Sequence, residues 1–171
     1  EWLAYARSLR AASLETSPDS LGVPIIWGTD AVHGHNNVRG ATIFPHNIGL
    51  GAINDPQLIG EIAVATAREV AATGIDWTFA PTLAQAKDYR WGRTYESYSD
   101  DPNLVEAYGR AMVEGIEGEG LAATAKHFIG DGGTTAGRDQ GNTELSTADL
   151  LAQHGSGYTG AFDAAVDTVM A

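Results

Sequence analysis

The segment Asp55–Ala80, DPQLIGEIAVATAREVAATGIDWTFA, decides the class of fold because it reads as a helix followed directly by a strand. Asp55-Pro56 predicts the start of the helix, since Asp is a favourable N-cap and Pro suits the first helical position. Apolar side chains then recur at helical spacing until Gly74, where we expect the helix to end. The apolar run Ile75–Ala80 predicts the strand that follows.

The same signals recur along the chain, with helix starts spaced about 45 residues apart. Asp101-Pro102 opens one helix that ends near Gly118, and the capping box Ser146–Asp149 opens another that runs towards Ala165. The remaining predicted elements are an N-terminal helix and three further strands, at Trp2–Glu15, Val23–Thr29, Leu121–Ala125 and Val166–Ala171. Strict alternation of strands and helices predicts a parallel sheet with right-handed crossovers.

Two architectures have this alternation, the doubly wound open sheet and the TIM barrel. A dinucleotide-binding open sheet is disfavoured, because no Gly-x-Gly-x-x-Gly directly follows a strand; Gly130–Gly133 lies in a long loop, and there is no Walker A motif. A TIM barrel needs eight strand–helix units and about 250 residues. We therefore expect an α/β fold that is a partial (β/α)8 barrel of about four units.

Long polar loops follow the first three predicted strands, each of about 20 residues or more, and connections of that length are usually functional. They lie at the C-terminal ends of parallel strands, where such folds place their active sites. Polar and aromatic residues are concentrated there: Asp30, His33, His35, Asp88, Arg90, Trp91, Arg93, Glu96, Lys126, His127 and Asp131.

Composition limits the partners. The formal net charge is −12 and the sequence contains no cysteine. An acidic surface disfavours nucleic acid and anionic membranes as partners, and no apolar run is long enough to span a bilayer. Without cysteine there are no disulfides, thiolate zinc sites or cysteine nucleophiles. Neutral substrates such as sugars remain open.

The histidines allow a competing hypothesis. His33 and His35 follow the first strand, and His127 follows the third. A His-x-His at a strand end can place two imidazoles on one metal ion, which would describe a metal-dependent hydrolase. The alternative is that His33 and His35 are hydrogen-bonding loop residues.

Five motifs, taken together and in order, resemble glycoside hydrolase family 3, the family of β-glucosidases and exo-acting β-glucan glucohydrolases. They are Gly28–Gly34 (GTDAVHG), Phe44–Leu50 (FPHNIGL), Phe79–Ala84 (FAPTLA), Asp88–Pro102 (DYRWGRTYESYSDDP) and Ala125–Gly132 (AKHFIGDG). The resemblance covers the chain from about Gly22 onward. The strings around Arg93 and Lys126 are the most specific.

The resemblance implies a retaining exo-β-glycosidase that takes a β-glucoside or a β-glucan oligosaccharide, without a metal ion or other cofactor. By motif position, Asp30, Arg93, Lys126 and His127 are the residues expected to bind the hydroxyls of the terminal glucose. Asp131 and Gln140 are further candidates. The resemblance also implies a periplasmic or secreted protein.

The same resemblance places the catalytic nucleophile and the acid/base beyond Ala171. It implies that residues 1–171 form a single incomplete barrel domain, completed by the rest of the catalytic domain and a second domain. The isolated chain is then expected to be inactive, and a non-catalytic glycan-binding remnant stays open as an alternative. Asp131 replaces the histidine found at this position in the branch that acts on N-acetylglucosamine, which favours the glucosidase branch.

Overall fold

The computed structural model describes all 171 residues. It contains six α-helices and six short strands. The helices are α1 Trp2–Ser13, α2 Asn47–Ile53, α3 Pro56–Ala72, α4 Pro102–Glu117, α5 Thr147–His154 and α6 Ser156–Asp163. The strands are β1 Thr16–Ser17, β2 Ser20–Leu21, β3 Gly28–Thr29, β4 Trp77–Thr78, β5 Thr124–Lys126 and β6 Thr168–Met170. Single 3₁₀ turns lie at Thr94–Glu96 and Thr135–Gly137.

Four of the strands form the barrel part of the fold. β3 pairs in parallel with β4, and β5 pairs in parallel with β6. Parallel bridges join Trp77 to Ala122 and Thr82 to Lys126, so β4 and β5 are neighbours as well. The spatial order β3-β4-β5-β6 is therefore the order of the sequence, as in a (β/α)8 barrel. The predicted partial barrel is confirmed.

The predicted helix starts are confirmed by their caps. The Asp55 carboxylate accepts from the amides of Gln57 and Leu58, both at 3.1 Å, and Asp101 accepts from Asn103 at 2.9 Å. At Ser146 the hydroxyl accepts from the Asp149 amide at 3.1 Å and donates to the Asp149 carboxylate at 2.6 Å. Each cap satisfies amides that have no partner inside the helix.

The core lies between the sheet and the helices α3, α4 and α6, as in a barrel whose helices cover the outside. Its fully buried side chains include Ile59, Ala63, Val70, Val105, Val113, Ile116, Ala123 and Ala125. Glycines let α4 and α6 approach closely: a Cβ at Gly160 would lie 2.2 Å from the carbonyl oxygen of Glu106. No helix has the length and apolar character that crossing a membrane would require.

The predicted strand Val23–Thr29 is wrong over most of its length, since only Gly28 and Thr29 pair with a neighbour. Val23 and Ile26 are 66% and 74% exposed. Pro24 has no amide to donate, and the amide of Ile25 donates to the Ser13 hydroxyl at 3.1 Å instead of to a strand. The apolar run predicted burial, but residues 23–26 make no backbone hydrogen bond to a neighbouring strand, and Trp27 only accepts one from the Asp76 amide at 3.0 Å.

The predicted helix from Ser146 towards Ala165 is interrupted at Gly155, which separates α5 from α6. The sequence Gly155-Ser156-Gly157 has weak helix propensity, and the Ser156 hydroxyl donates to the Pro102 carbonyl at 2.8 Å. The loop after β3 also contains a helix that the sequence did not predict, α2, and its C-cap residue Asn54 adopts a left-handed conformation.

Candidate functional site

The strand ends position the predicted residues on one side of the sheet. Asp30 follows β3 directly, Lys126 is the last residue of β5, and His127 comes next. Arg93 lies in the loop after β4, immediately before the 3₁₀ turn Thr94–Glu96. Because β3, β4 and β5 are parallel neighbours, their C-terminal ends bring these four residues together.

Lys126 and Asp30 form an ion pair across two strands, with Nζ and Oδ1 2.8 Å apart. The Lys126 side chain is only 5% exposed, whereas that of Asp30 is 61% exposed. The second carboxylate oxygen of Asp30 has no hydrogen bond within the chain. The pair therefore holds a buried cation in place while leaving an acceptor open to a ligand.

Arg93 and Glu96 form a two-pronged pair within the loop. Nε lies 2.6 Å from one carboxylate oxygen of Glu96, and Nη2 lies 2.9 Å from the other. The hydrogen bonds to Glu96 raise the pKa of Arg93 above its ordinary value, so the guanidinium stays charged. Nη1 makes no hydrogen bond within the chain and remains available as a donor.

His127 lies between Arg93 and Asp131. Its Nδ1 is 2.6 Å from Oδ2 of Asp131, and its Nε2 is 3.5 Å from Nη2 of Arg93. Glu96, Arg93, His127 and Asp131 thus form a continuous chain of polar contacts. A connected network of this kind fixes the orientation of each member before any ligand arrives.

Two adjacent cavities share Arg93. The smaller, of about 250 Å³, is lined by Asp30, Val32, His33, His46, Arg93, Tyr95, Glu96 and Lys126. The larger, of about 540 Å³, is lined on its polar side by Arg93, His127, Asp131, Asp139, Gln140 and Asn142. The structure therefore places all six predicted residues around two adjacent cavities, with Asp131 engaged by His127 and Gln140 exposed.

Sequence reasoning missed His46 and Tyr95. The rings of His33 and His46 lie 4.5 Å apart, and those of His46 and Tyr95 lie 4.9 Å apart, in edge-to-face arrangements. Together they form an aromatic wall of the smaller cavity. The motif containing Phe44-Pro45-His46 was the available signal, but its role depends on α2, which brings His46 to the site.

The structure does not bring His33, His35 and His127 together as the ligands of the metal hypothesis. His35 is buried and its Nε2 contacts the Thr73 hydroxyl at 3.1 Å, and burial lowers the pKa of its imidazole. His33 belongs to the aromatic wall, and His127 is held by Asp131. No group of three or more histidine, aspartate or glutamate side chains could hold a metal ion.

Trp91 is a packing residue. It is buried, and its indole nitrogen donates to Asp139 at 3.0 Å. Asp88 and Arg90 form an exposed pair in the same loop, and the hydrogen bond from Arg90 lowers the pKa of Asp88 to about 2. These contacts shape the loop that carries Arg93, and Trp91, Asp88 and Arg90 line neither cavity.

The sequence model of the glycosyl hydrolase family 3 N-terminal domain matches residues 1–171. The chain belongs to glycosyl hydrolase family 3. Its family 3 relatives include the exo-1,3/1,4-β-glucanase from a Pseudoalteromonas species, which is 52% identical with a TM-score of 0.95 over 98% of this chain and 22% of that one. A β-glucosidase from Listeria innocua is 32% identical with a TM-score of 0.89 over 98% of this chain and 24% of that one.

A lysosomal β-glucosidase from Dictyostelium discoideum is 35% identical over 81% of this chain and 18% of that protein. The family 3 chain thus spans a quarter or less of the length of these relatives. The high structural similarity over nearly the whole chain confirms the barrel fold expected from the resemblance.

Proposed function

We propose that this chain is the sugar-binding portion of the barrel of a retaining, exo-acting β-glucosidase or β-glucanase that releases terminal β-glucosyl residues. The observation that carries the proposal is the convergence of Asp30, Arg93, Lys126 and His127 around two cavities that share Arg93. Residues 1–171 would then be an incomplete catalytic barrel, completed by later strands and a second domain of the full-length protein.

The donors and acceptors left open in these pairs match a sugar. Asp30 offers a carboxylate oxygen that can accept from a hydroxyl, and Nη1 of Arg93 can donate to one. Lys126 is held by Asp30 at the wall of the same cavity. Charge-assisted hydrogen bonds of this type are stronger than neutral ones.

The glucoside substrate class is supported by the relatives. They include β-glucosidases and an exo-1,3/1,4-β-glucanase, and the Listeria innocua β-glucosidase has been determined in complex with laminaribiose and with glucose. A β-xylosidase from Formosa agariphila is 34% identical over 75% of this chain. Terminal xylose is therefore the competing substrate that an activity test has to include.

The catalytic carboxyl groups are proposed to lie outside these 171 residues. A retaining mechanism needs a nucleophile and an acid/base about 5 to 5.5 Å apart. The carboxylates near the cavities are each engaged: Asp30 with Lys126, Glu96 with Arg93, Asp131 with His127 and Asp139 with Trp91. Their contacts suit binding and positioning roles better than that of a free nucleophile.

The test is hydrolysis of 4-nitrophenyl β-glucoside and β-xyloside by the full-length protein, with the anomer of the product followed by NMR. We expect faster release from the glucoside and a β-anomer as the first product, since retention preserves the configuration. An α-anomer as the first product would contradict the retaining mechanism. A preference for the xyloside would show that the terminal sugar is xylose instead of glucose. Glycan binding without hydrolysis would instead indicate a non-catalytic remnant.

A further inference from the structure

The Asp131 carboxylate contacts the ring of His127. Its carboxylate oxygen Oδ2 lies 2.6 Å from Nδ1 of His127, and its side chain is only 19% exposed. The backbone directs it there: Gly130 and Gly132, on either side, have φ angles of +119° and +84°. A Cβ at Gly132 would lie 2.5 Å from the Gln85 carbonyl oxygen, so the loop requires glycine to turn Asp131 back onto His127.

The two neighbours of His127 select one tautomer of its ring. An ionised carboxylate can only accept a hydrogen bond, so the short contact to Asp131 requires a proton on Nδ1. A guanidinium can only donate, so the longer contact of 3.5 Å from Nη2 of Arg93 favours an unprotonated Nε2. The neutral ring with hydrogen on Nδ1 is the form that satisfies both contacts.

We propose that Asp131 is a positioning residue that fixes this tautomer and turns the Nε2 lone pair of His127 towards Arg93 and the larger cavity. On the proposed function, on which this inference rests for its ligand, a sugar hydroxyl displaces the long 3.5 Å contact from Arg93 and donates to the Nε2 lone pair of His127. Lys126 and Arg93 donate to other hydroxyl oxygens. The pocket thereby distinguishes a hydroxyl at the His127 position from a group that cannot donate, such as a methoxy or fluoro substituent.

The first test needs no activity. The full-length protein is labelled with ¹⁵N-histidine, and the ring signals of His127 are assigned by their loss in His127→Gln. We expect hydrogen on Nδ1 and an unprotonated Nε2 at neutral pH. A wild-type ring with hydrogen on Nε2, or on both nitrogens, would overturn the proposal whatever the variants do.

The second test compares Asp131→Asn with Glu144→Gln, which removes an exposed carboxylate from the same loop. An amide can donate as well as accept, so Asp131→Asn should yield a mixture of tautomers. It should also lower kcat/KM for 4-nitrophenyl β-glucoside at least about tenfold, since small misplacements of a site residue have effects of this size. Glu144→Gln should change neither measurement.

Two outcomes separate this inference from the proposed function. If Asp131→Asn lowers kcat/KM while His127 keeps the single Nδ1–H tautomer, Asp131 contacts the sugar directly and the positioning role is wrong. If the full-length protein hydrolyses no glycoside but the tautomer of His127 depends on Asp131 as described, the proposed function fails and the positioning role stands.

Discussion

Arg93 and Lys126 are the residues at which the proposed function is most open to direct measurement. Replacing either by alanine in the full-length protein should lower kcat/KM for an aryl β-glucoside at least about tenfold, equivalent to about 1.4 kcal/mol. The reason is the loss of charge-assisted contacts to sugar hydroxyls, and kcat should fall as well as KM rise. Steady-state kinetics measures both.

The matched control is Arg110→Ala. Arg110 also pairs with a carboxylate, that of Asp163 at 2.7 Å, but on the outer helices α4 and α6. Its removal should leave the kinetics unchanged, since exposed pairs contribute little even to stability. Unchanged kinetics in both Arg93→Ala and Lys126→Ala would remove these residues from the site.

The buried His154 predicts how stability depends on pH. Its Nε2 is buried without a hydrogen-bond partner, and burial lowers the pKa of the imidazole below its ordinary value of about 6.5. The unfolded chain therefore takes up a proton at a higher pH than the folded one. The contribution of the neutral His154 imidazole to stability is fully present above about pH 6.5 and is lost as the pH falls towards the lowered pKa.

The expected result is a thermal unfolding midpoint of the full-length protein that decreases between pH 7 and pH 5. In His154→Gln this decrease should be smaller, because the glutamine cannot take up the proton. Burial also lowers the pKa of His35, so part of the pH dependence of stability should remain in His154→Gln. A midpoint that rises on acidification would contradict the assignment of a neutral buried imidazole.

At the scale of elements, the contact between α4 and α6 depends on glycine. Gly160→Ala places a methyl group against the Glu106 carbonyl oxygen, although alanine is the better helix former. Overpacking of this kind usually costs about 1–3 kcal/mol, so the unfolding midpoint should fall. Gly92→Ala is the control, since a Cβ at Gly92 meets nothing within 4 Å. Equal stability of the two variants would show that α6 shifts without cost.

The elements also show which parts of the fold the sequence predicts. Asp55, Asp101 and Ser146 act on amides only two or three residues away, so the sequence contains all that is needed to place these helix starts. The extent of a strand depends on its neighbours instead. The strand predicted from Val23 is therefore longer than the strand observed. The helix predicted from the capping box at Ser146 is likewise divided at Gly155.

In the site, too, some residues can be predicted from the sequence and others depend on the conformation of distant segments. Asp30, Arg93, Lys126 and His127 lie at strand ends within specific motifs, so their convergence follows from the parallel order of the strands. His46 and Tyr95 reach the cavity only through α2 and a 3₁₀ turn inside long loops. The partner of Asp131 depends on two left-handed glycines, and the sequence alone does not specify that conformation.

At the scale of the whole molecule, a large set of apolar side chains on helices, strands and loops is exposed. Exposed apolar side chains include Leu21, Val23, Ile26, Phe128, Leu151, Phe162 and Val169. The isolated chain should therefore bind ANS, unfold over a broad temperature range and show no hydrolysis of an aryl β-glucoside. Fluorescence titration, calorimetry and a glycosidase assay test these three points. A sharp two-state transition of an inactive monomer without ANS binding would show that four strand–helix units suffice as a domain.

The sequential order of the strands has a consequence for synthesis on the ribosome. Gly28 pairs with Trp77, Trp77 bridges to Ala122, and Thr124 pairs with Thr168, so each new strand closes onto the one made just before it. Translation adds about 5–20 residues per second, so each unit has seconds to dock, whereas closing a short loop takes well under a millisecond. Sheet growth can therefore keep pace with elongation, and every nascent intermediate exposes the outer edge of β3 and the edge of the strand added last.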